Sequence, residues 1–275
     1  MGVEMLAGEL PELEVVATTS STNDDVMALA RAGAPHGACV AAHEQTAGRG
    51  RRGHGWGSPA SGLYLSVLLR PEVPMSHLMG LSAVCALGLV EALRETGATT
   101  AQLKWPNDVV VPGEAGAAKL CGLLMEAGMS DLGMFAVAGM GVNLERPELE
   151  GDMGSVSPLP AASLAETLAA ADAEMPAFEA LAEAIRAHVV ARTNEWAEAI
   201  AAGRGAAGPL APVLSDYFDA LYLMGEPVNV VYPNGNLMAQ GTFVGVDVWG
   251  RAAVRLEGGK ELSISSEQAS LRARE

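Results

Sequence analysis

Ten residues, Gly48–Gly57 (GRGRRGHGWG), carry five glycines and three arginines, and Ser58-Pro59 follows directly. The run formally contains G-x-G-x-x-G. A dinucleotide fingerprint needs a helix to begin inside it, because the helix N-terminus and its backbone N–H groups hold the pyrophosphate. Here His54-Gly55-Trp56-Gly57-Ser58-Pro59 comes next, and two glycines with a proline preclude that helix. Arginines at the variable positions are also unnecessary where backbone does the binding. The segment must therefore be a loop. Composition leaves three uses for it: a solvated basic turn, an Arg-Gly segment for RNA, or an anion loop whose guanidiniums grip carboxylate or phosphate bidentately.

The charge pattern bears on that choice. The chain of 275 residues has 17 Lys/Arg against 33 Asp/Glu, a net −16, which argues against bulk nucleic-acid affinity. Between Arg49 and Lys119, however, seven basic residues face five acidic ones, whereas Glu145–Gly203 has three against eleven. An electropositive region thus sits inside an acidic protein, and screening over about 8 Å lets such a cluster dominate what a bound anion feels. Apolar residues make up 49%, enough for a real core. Cys39, Cys85 and Cys121 form no Cys-x-x-Cys pair, which favours a reducing compartment over a disulfide framework or structural zinc. No signal peptide is read in MGVEMLAGELPELE. Leu78–Leu93 is interrupted by Ser82, Gly88 and Glu91 and is short for a membrane span. A cytoplasmic protein with no membrane partner is expected.

Periodicity predicts strands at Leu13–Ala17, Ala38–Ala42, Leu63–Arg70, Gln102–Trp105, Asp108–Val111, Leu120–Glu126 and Phe135–Gly139. Helices are predicted over Asn23–Ala32 with Thr22 or Asn23 as N-cap, from Ser76 to Gly97, and over Ala161–Ala171 and Ala177–Ala202. Ala201–Pro212 reads as a Gly/Ala/Pro linker before one more helix near Val213–Met224. Short strands follow at Pro227–Tyr232, Leu237–Val246, Ala252–Leu256 and Glu261–Ser265, with hairpin turns at Asn234-Gly235 and Gly258-Gly259. The expected fold is α+β: a catalytic domain over residues 1–222 with a mixed sheet flanked by helices, then a small C-terminal β-barrel over 223–275.

Three further segments carry chemistry. Lys104-Trp105-Pro106-Asn107-Asp108 puts an ammonium, an amide and a carboxylate at a strand end, although for such a segment alone a plain turn with a snorkelling lysine is the favoured reading. Lys119 opens an apolar strand and alternates onto the face of Cys121; a buried inert thiol is favoured over a reactive one. Gly139-Met140-Gly141-Val142-Asn143 reads as a strand ending in a turn, or as a surface for a flat ligand. His36, His43, His54, His77 and His188 show no metal or triad spacing.

Taken together, Ser20-Ser21-Thr22-Asn23, Gln45-x-Ala47-Gly48-Arg49-Gly50-Arg51-Arg52-Gly53, Lys104-Trp105-Pro106-Asn107-Asp108, Lys119-Leu120-x-Gly122 and Gly139-x-Gly141-x-Asn143 resemble the biotin–protein ligases in order and spacing, over about Glu14 to Leu144. The resemblance implies a monofunctional member without the DNA-binding domain of the repressor members, and an SH3-like C-terminal barrel. It implies biotin, ATP and Mg2+ as small molecules and a biotin carboxyl carrier protein as partner, with no nucleic acid. A lipoate or octanoate ligase or transferase of similar fold is the alternative. Monomer and homodimer are both left open.

Such ligases join the biotin carboxylate to the α-phosphate of ATP, and a carrier lysine then attacks the biotinyl-adenylate. Bringing two unit anions to ~4 Å costs about 4 kcal/mol at an effective dielectric of 20. Arg49, Arg51, Lys104 and Lys119 are the candidate cations. By resemblance, Ser21, Thr22, Asn23, Gln45, Arg49, Gly50, Arg51, Lys119 and Gly122 bind biotin. Arg49, Arg51, Trp56, Lys104, Asn107, Lys119 and Asn143 hold ATP or the adenylate. Lys119, Arg51, Lys104 and Asp108 serve catalysis, Asp108 helping the acceptor lysine lose its proton. The Gly-rich loop is expected to order over the water-labile anhydride, with Glu145–Ala161 as a second cover and the C-terminal barrel helping to close the ATP site.

Overall fold

The computed structural model describes residues 10–51, 55–114, 116–147 and 159–274. Seven strands form the main sheet: β1 (Leu13–Thr19), β2 (Cys39–Gln45), β3 (Gly62–Leu69), β4 (Gln102–Lys104), β5 (Asp108–Gly113), β6 (Gly116–Ser130) and β7 (Gly133–Asn143). Their order is β1-β2-β3-β7-β6-β5-β4, with β1–β2 parallel and every other pair antiparallel, so the sheet is mixed. In β3, GLYLSVLL, all eight residues are buried, as a central strand covered on both faces requires.

Helix α1 (Thr22–Arg31) covers one face over a small cluster of Val26, Ala30, Val40, Leu68, Phe135 and Val137. On the other face α2 (Leu81–Glu95) and α4 (Phe178–Ala201) enclose the main core, with α3 (Leu164–Ala170) beside them. The expected start of α2 at Ser76 is corrected: Met75–Gly80 is a 3-10 turn and the α-helix begins at Leu81. Met75–Glu95 is long and apolar enough by composition to cross a membrane, but 61% of its apolar window is buried inside the molecule, where α4 packs on it.

Ala201–Pro212 is not a loose linker. Its turns bury Gly205, Gly208, Pro209 and Leu210, and the Leu210 amide donates to the Val248 carbonyl at 3.0 Å. After α5 (Leu214–Ala220), strands β8 (Pro227–Val231), β9 (Leu237–Val246), β10 (Ala252–Leu256), β11 (Glu261–Ile264) and β12 (Ser270–Ala273) form a second, antiparallel sheet in the order β11-β10-β9-β8-β12. Its pairings leave β11 and β12 as the two edges, so among the described residues this is an open sheet and not a closed barrel. Strand β12 was not foreseen, because Ser-Leu-Arg-Ala is too short for its alternation to register. The C-terminal region meets the main sheet where Trp105 Nε1 donates to the Gly250 carbonyl at 2.9 Å.

Candidate active site

The site lies where α1 begins and where β2, β4, β5, β6 and β7 present side chains to one cavity of about 710 Å3. Every residue nominated from the sequence lines it: Ser21, Thr22, Asn23, Gln45, Arg49, Gly50, Arg51, Trp56, Lys104, Asn107, Asp108, Lys119, Gly122 and Asn143. Arg52, Gly53, His54 and most of the Glu145–Ala161 cover fall outside the described residues.

One end of the cavity is built mainly from uncharged polar side chains, with Arg49 paired to Asp24 and Glu126 at its edge. Ser21, and not Thr22 or Asn23, occupies the N-cap position of α1, with extended φ/ψ of −165° and 123° and no side-chain cap bond. The side chains of Thr22 and Asn23 are spent elsewhere. The Thr22 N–H donates to Gln45 Oε1 at 2.9 Å, and Thr22 Oγ1 lies 3.1 Å from the same oxygen. Gln45 Nε2 donates to Ser58 Oγ at 3.1 Å, and Ser58 donates to the Trp56 carbonyl at 3.0 Å. The Ser66 hydroxyl, fully buried in β3, lies 2.6 Å from Asn23 Oδ1 and 2.7 Å from Thr22 Oγ1. Asn23 Nδ2 donates to Glu126 at 2.6 Å. Asn23 lies flat over Gly139, where a Cβ would come within 2.1 Å of its oxygen.

The other end is charged. Lys119 Nζ sits 2.6 Å from Asp108 Oδ1 and 4.8 Å from the centre of the Trp56 ring. A register shift against β5 pairs Val109 with Cys121 and Val110 with Lys119, leaving Leu120 as the extra residue of a bulge. The bulge corrects the expected shared face: Lys119 lines the cavity while Cys121 is fully buried in the core, where burial pushes its thiol well above the usual range. Lys104 makes no ion pair among the described residues. Burial lowers its ammonium pKa, Asp108 opposes that shift, and Lys119 and Arg272 reinforce it.

Arg49 and Arg51 are spoken for. Arg49 grips Asp24 bidentately at 2.7 Å through each nitrogen and reaches Glu126 at 3.2 Å. The Asp24 bond is the chief reason its guanidinium is raised above the ordinary range, and Arg49 in turn holds the Asp24 carboxyl low. Arg51 spans to the C-terminal sheet, meeting Ser266 and Glu267 at 2.6 Å each and Asn107 Oδ1 at 3.3 Å. Asn107 Nδ2 donates to the Leu123 carbonyl at 2.6 Å. Asn143 Nδ2 is shared by the Lys119 and Ala162 carbonyls at 3.1 Å each.

Gly139-Met140-Gly141 is continuous strand, not a turn. The Trp56 indole lies across β6 and β7 there: a Cβ on Gly122 would come within 2.8 Å of the ring and one on Gly141 within 2.6 Å of Nε1. That nitrogen is buried without a partner among the described residues. Sequence reasoning missed Ser58, Ser66, Glu126 and Arg272, all of which touch this site or its supports. Ser66 had a visible signal as the one polar residue in an otherwise apolar strand. Arg272 lies on the unforeseen β12 and lines the cavity.

A mixed sheet thus presents cations at one end of a cavity and uncharged donors and acceptors at the other, an arrangement suited to an anion beside an uncharged polar group. A family model described as the biotin/lipoate A/B protein ligase family matches residues 15–143. A biotin–[acetyl-CoA-carboxylase] ligase of Paracoccus denitrificans is 33% identical over 259 residues, 92% of this chain and 98% of that protein. The ligase of the same description from Mycobacterium tuberculosis is 38% identical over 157 residues, covering 53% of this chain and 54% of its own. Among solved structures, biotin protein ligase from Aquifex aeolicus in complex with biotin and ATP superposes with a TM-score of 0.73 at 24% identity, over 96% of this chain and 100% of that one. The Leishmania major enzyme in complex with biotinyl-5-AMP gives 0.60 at 22%, over 93% and 99%. The chain belongs to the biotin/lipoate A/B protein ligase family.

Proposed function

We propose that the chain activates biotin with ATP to biotinyl-5′-AMP and transfers the biotinyl group to a lysine of a biotin carboxyl carrier protein. In the first step a biotin carboxylate oxygen bonds to the α-phosphorus and the bond to pyrophosphate breaks. In the second a neutral lysine amine attacks the acyl carbon, AMP leaves, and the amine proton is lost. The observation that carries the reading is the convergence of all fourteen nominated residues on one cavity.

Lys119 is the cation for both carboxylate and α-phosphate, and Lys104, Arg51 and Arg272 hold the remaining phosphate charge. Asp108, already 2.6 Å from Lys119, takes the proton of the acceptor lysine. Ser21, Thr22, Asn23, Gln45, Gly50 and Gly122 contact biotin, while Trp56, Asn107 and Asn143 line the adenylate. Arg49 acts as part of the frame of the biotin end, since its guanidinium is held by two carboxylates. Mg2+ enters with ATP. Among the described residues no cluster of three or more His, Cys, Asp or Glu could cage it, so phosphates and water would supply most of its ligands.

The pairing of Arg49 and Arg51 with carboxylates supports an anion loop over an RNA-binding segment. The biotin-ligase relatives favour biotin over lipoate. We further read residues 1–222 and 223–275 as two domains, the second an SH3-like unit that completes the ATP site through Ser266, Ser270 and Arg272. Biotin-dependent ATP–pyrophosphate exchange tests the whole reading. It should be robust in the wild type and abolished in Arg51→Ala and Lys119→Ala, and a wild-type chain that supports no exchange with Mg2+ present ends the proposal. Calorimetric titration with biotin and with lipoate separates the two substrate classes.

A further inference from the structure

The neutral end of the cavity contains a chain of hydrogen bonds with an unambiguous direction. It starts at Glu126, whose carboxylate can only accept. Asn23 must therefore present Nδ2 to it, at 2.6 Å, and Oδ1 to the other side. That side holds the Ser66 hydroxyl at 2.6 Å, which has one proton and gives it to Asn23. The 2.7 Å contact between Ser66 and Thr22 then needs the Thr22 proton. Gln45 Oε1, at 3.1 Å, is also within reach of that proton, but giving it there would leave the Ser66 and Thr22 oxygens 2.7 Å apart with no proton between them. Thr22 Oγ1 is left with lone pairs only. Asn23 is 5% exposed, Thr22 3% and Ser66 0%, so water has little room to reset the order.

We propose that Glu126 is a specificity-determining positioning residue: through Asn23 and Ser66 it orients the Thr22 hydroxyl, so that Thr22 meets the substrate acid only as an acceptor of N–H groups. The inference rests on the reading of the site as a biotin site, and it names what recognises the ring: a cyclic urea or amide N–H is accepted and a bare acceptor is refused. Glu126 itself touches no substrate. Its carboxylate also reaches Arg49, but Asp24 holds that arginine bidentately without it.

The test is pyrophosphate exchange by the full chain with separate titrations of biotin and ATP. Glu126→Gln keeps the shape of the side chain but lets either end of its amide face Asn23, which removes the direction. Ser66→Ala cuts the same chain one link further on. Each should raise KM for biotin about tenfold while KM for ATP and kcat stay within about twofold. The double variant should be no worse than the more affected single one, because both act through one chain. A KM for biotin within twofold of wild type in Glu126→Gln overturns the inference. So do additive effects in the double variant, or equal rises in KM for biotin and ATP. A wild type with no biotin-dependent exchange overturns the proposed function itself. A normal wild type beside an unaffected Glu126→Gln overturns this inference alone.

Discussion

The two ends of the cavity solve different problems with different materials. At the neutral end Thr22, Asn23, Gln45, Ser58 and Ser66 are joined by hydrogen bonds and nearly all buried, so each donor and acceptor has an assigned partner. At the charged end Lys104, Lys119 and Asp108 are partly buried, and among the described residues one of the two ammonium groups has no ion-pair partner. Satisfied polar groups in a low-dielectric setting discriminate by geometry, since a mismatched ligand leaves one of them unpaired. An under-neutralised cation cluster discriminates by charge and tolerates many shapes. The difference teaches that recognition of the acid and stabilisation of developing phosphate charge are separable in this molecule.

Breaking the charged end should give the largest effect. Lys119→Ala should lower kcat for exchange about a thousandfold, in line with loss of a donor aimed at developing charge, and shift KM for biotin far less. Gln45→Ala strands the Thr22 N–H and should do the reverse, raising KM for biotin about thirtyfold with kcat within about threefold. Steady-state kinetics with both substrates varied checks the pair, and proportional losses in kcat and KM in both variants would erase the distinction between the ends.

A smaller effect sharpens it. The folded state lowers the Lys104 ammonium pKa, so below that folded value the native protein carries a charge it solvates poorly. The penalty is complete below the folded value and disappears as pH rises to the ordinary lysine value, where the unfolded chain also gives up its proton. Lys104→Met should therefore melt about 3 °C higher at pH 7, lose that advantage at strongly alkaline pH, and bind ATP about tenfold more weakly. Calorimetry across pH reads the first part; a variant less stable than wild type at neutral pH would contradict it.

The least effect belongs to Asp24→Asn, at the outer edge of the neutral end. Arg49 depresses the Asp24 carboxyl, so its stabilisation is present above the ordinary Asp range and fades as pH falls through the depressed value. The pair is substantially exposed, so the loss at pH 7 should be only about 0.5 kcal/mol. The gap to wild type should close on acidification, as denaturant melts at several pH values will reveal.

Much of this was readable in the chain. Glycine spacing forced a loop at Gly48–Gly57, alternation located β1 to β11, and five short blocks held every cavity residue that the resemblance implied except Trp56. Local rules failed where the reason was not local. Thr22 and Asn23 look like helix caps, but Ser66, 44 residues beyond Thr22, and Glu126, 103 beyond Asn23, claim their side chains. Cys121 should share a face with Lys119 by simple alternation, but one extra residue at Leu120 turns it into the core.

Residue types and periodicity located by themselves most of the strands and helices, and showed which side chains could carry charge to a ligand. Those properties belong to single residues and their neighbours along the chain. Which carboxylate neutralises which cation was decided only by tertiary structure: Arg49 went to Asp24 and Glu126, Arg51 to Glu267 across the C-terminal sheet, and Lys119 to Asp108. Charge pairing falls off within a few ångströms and depends on burial. It is therefore fixed by distances that separation along the chain does not encode.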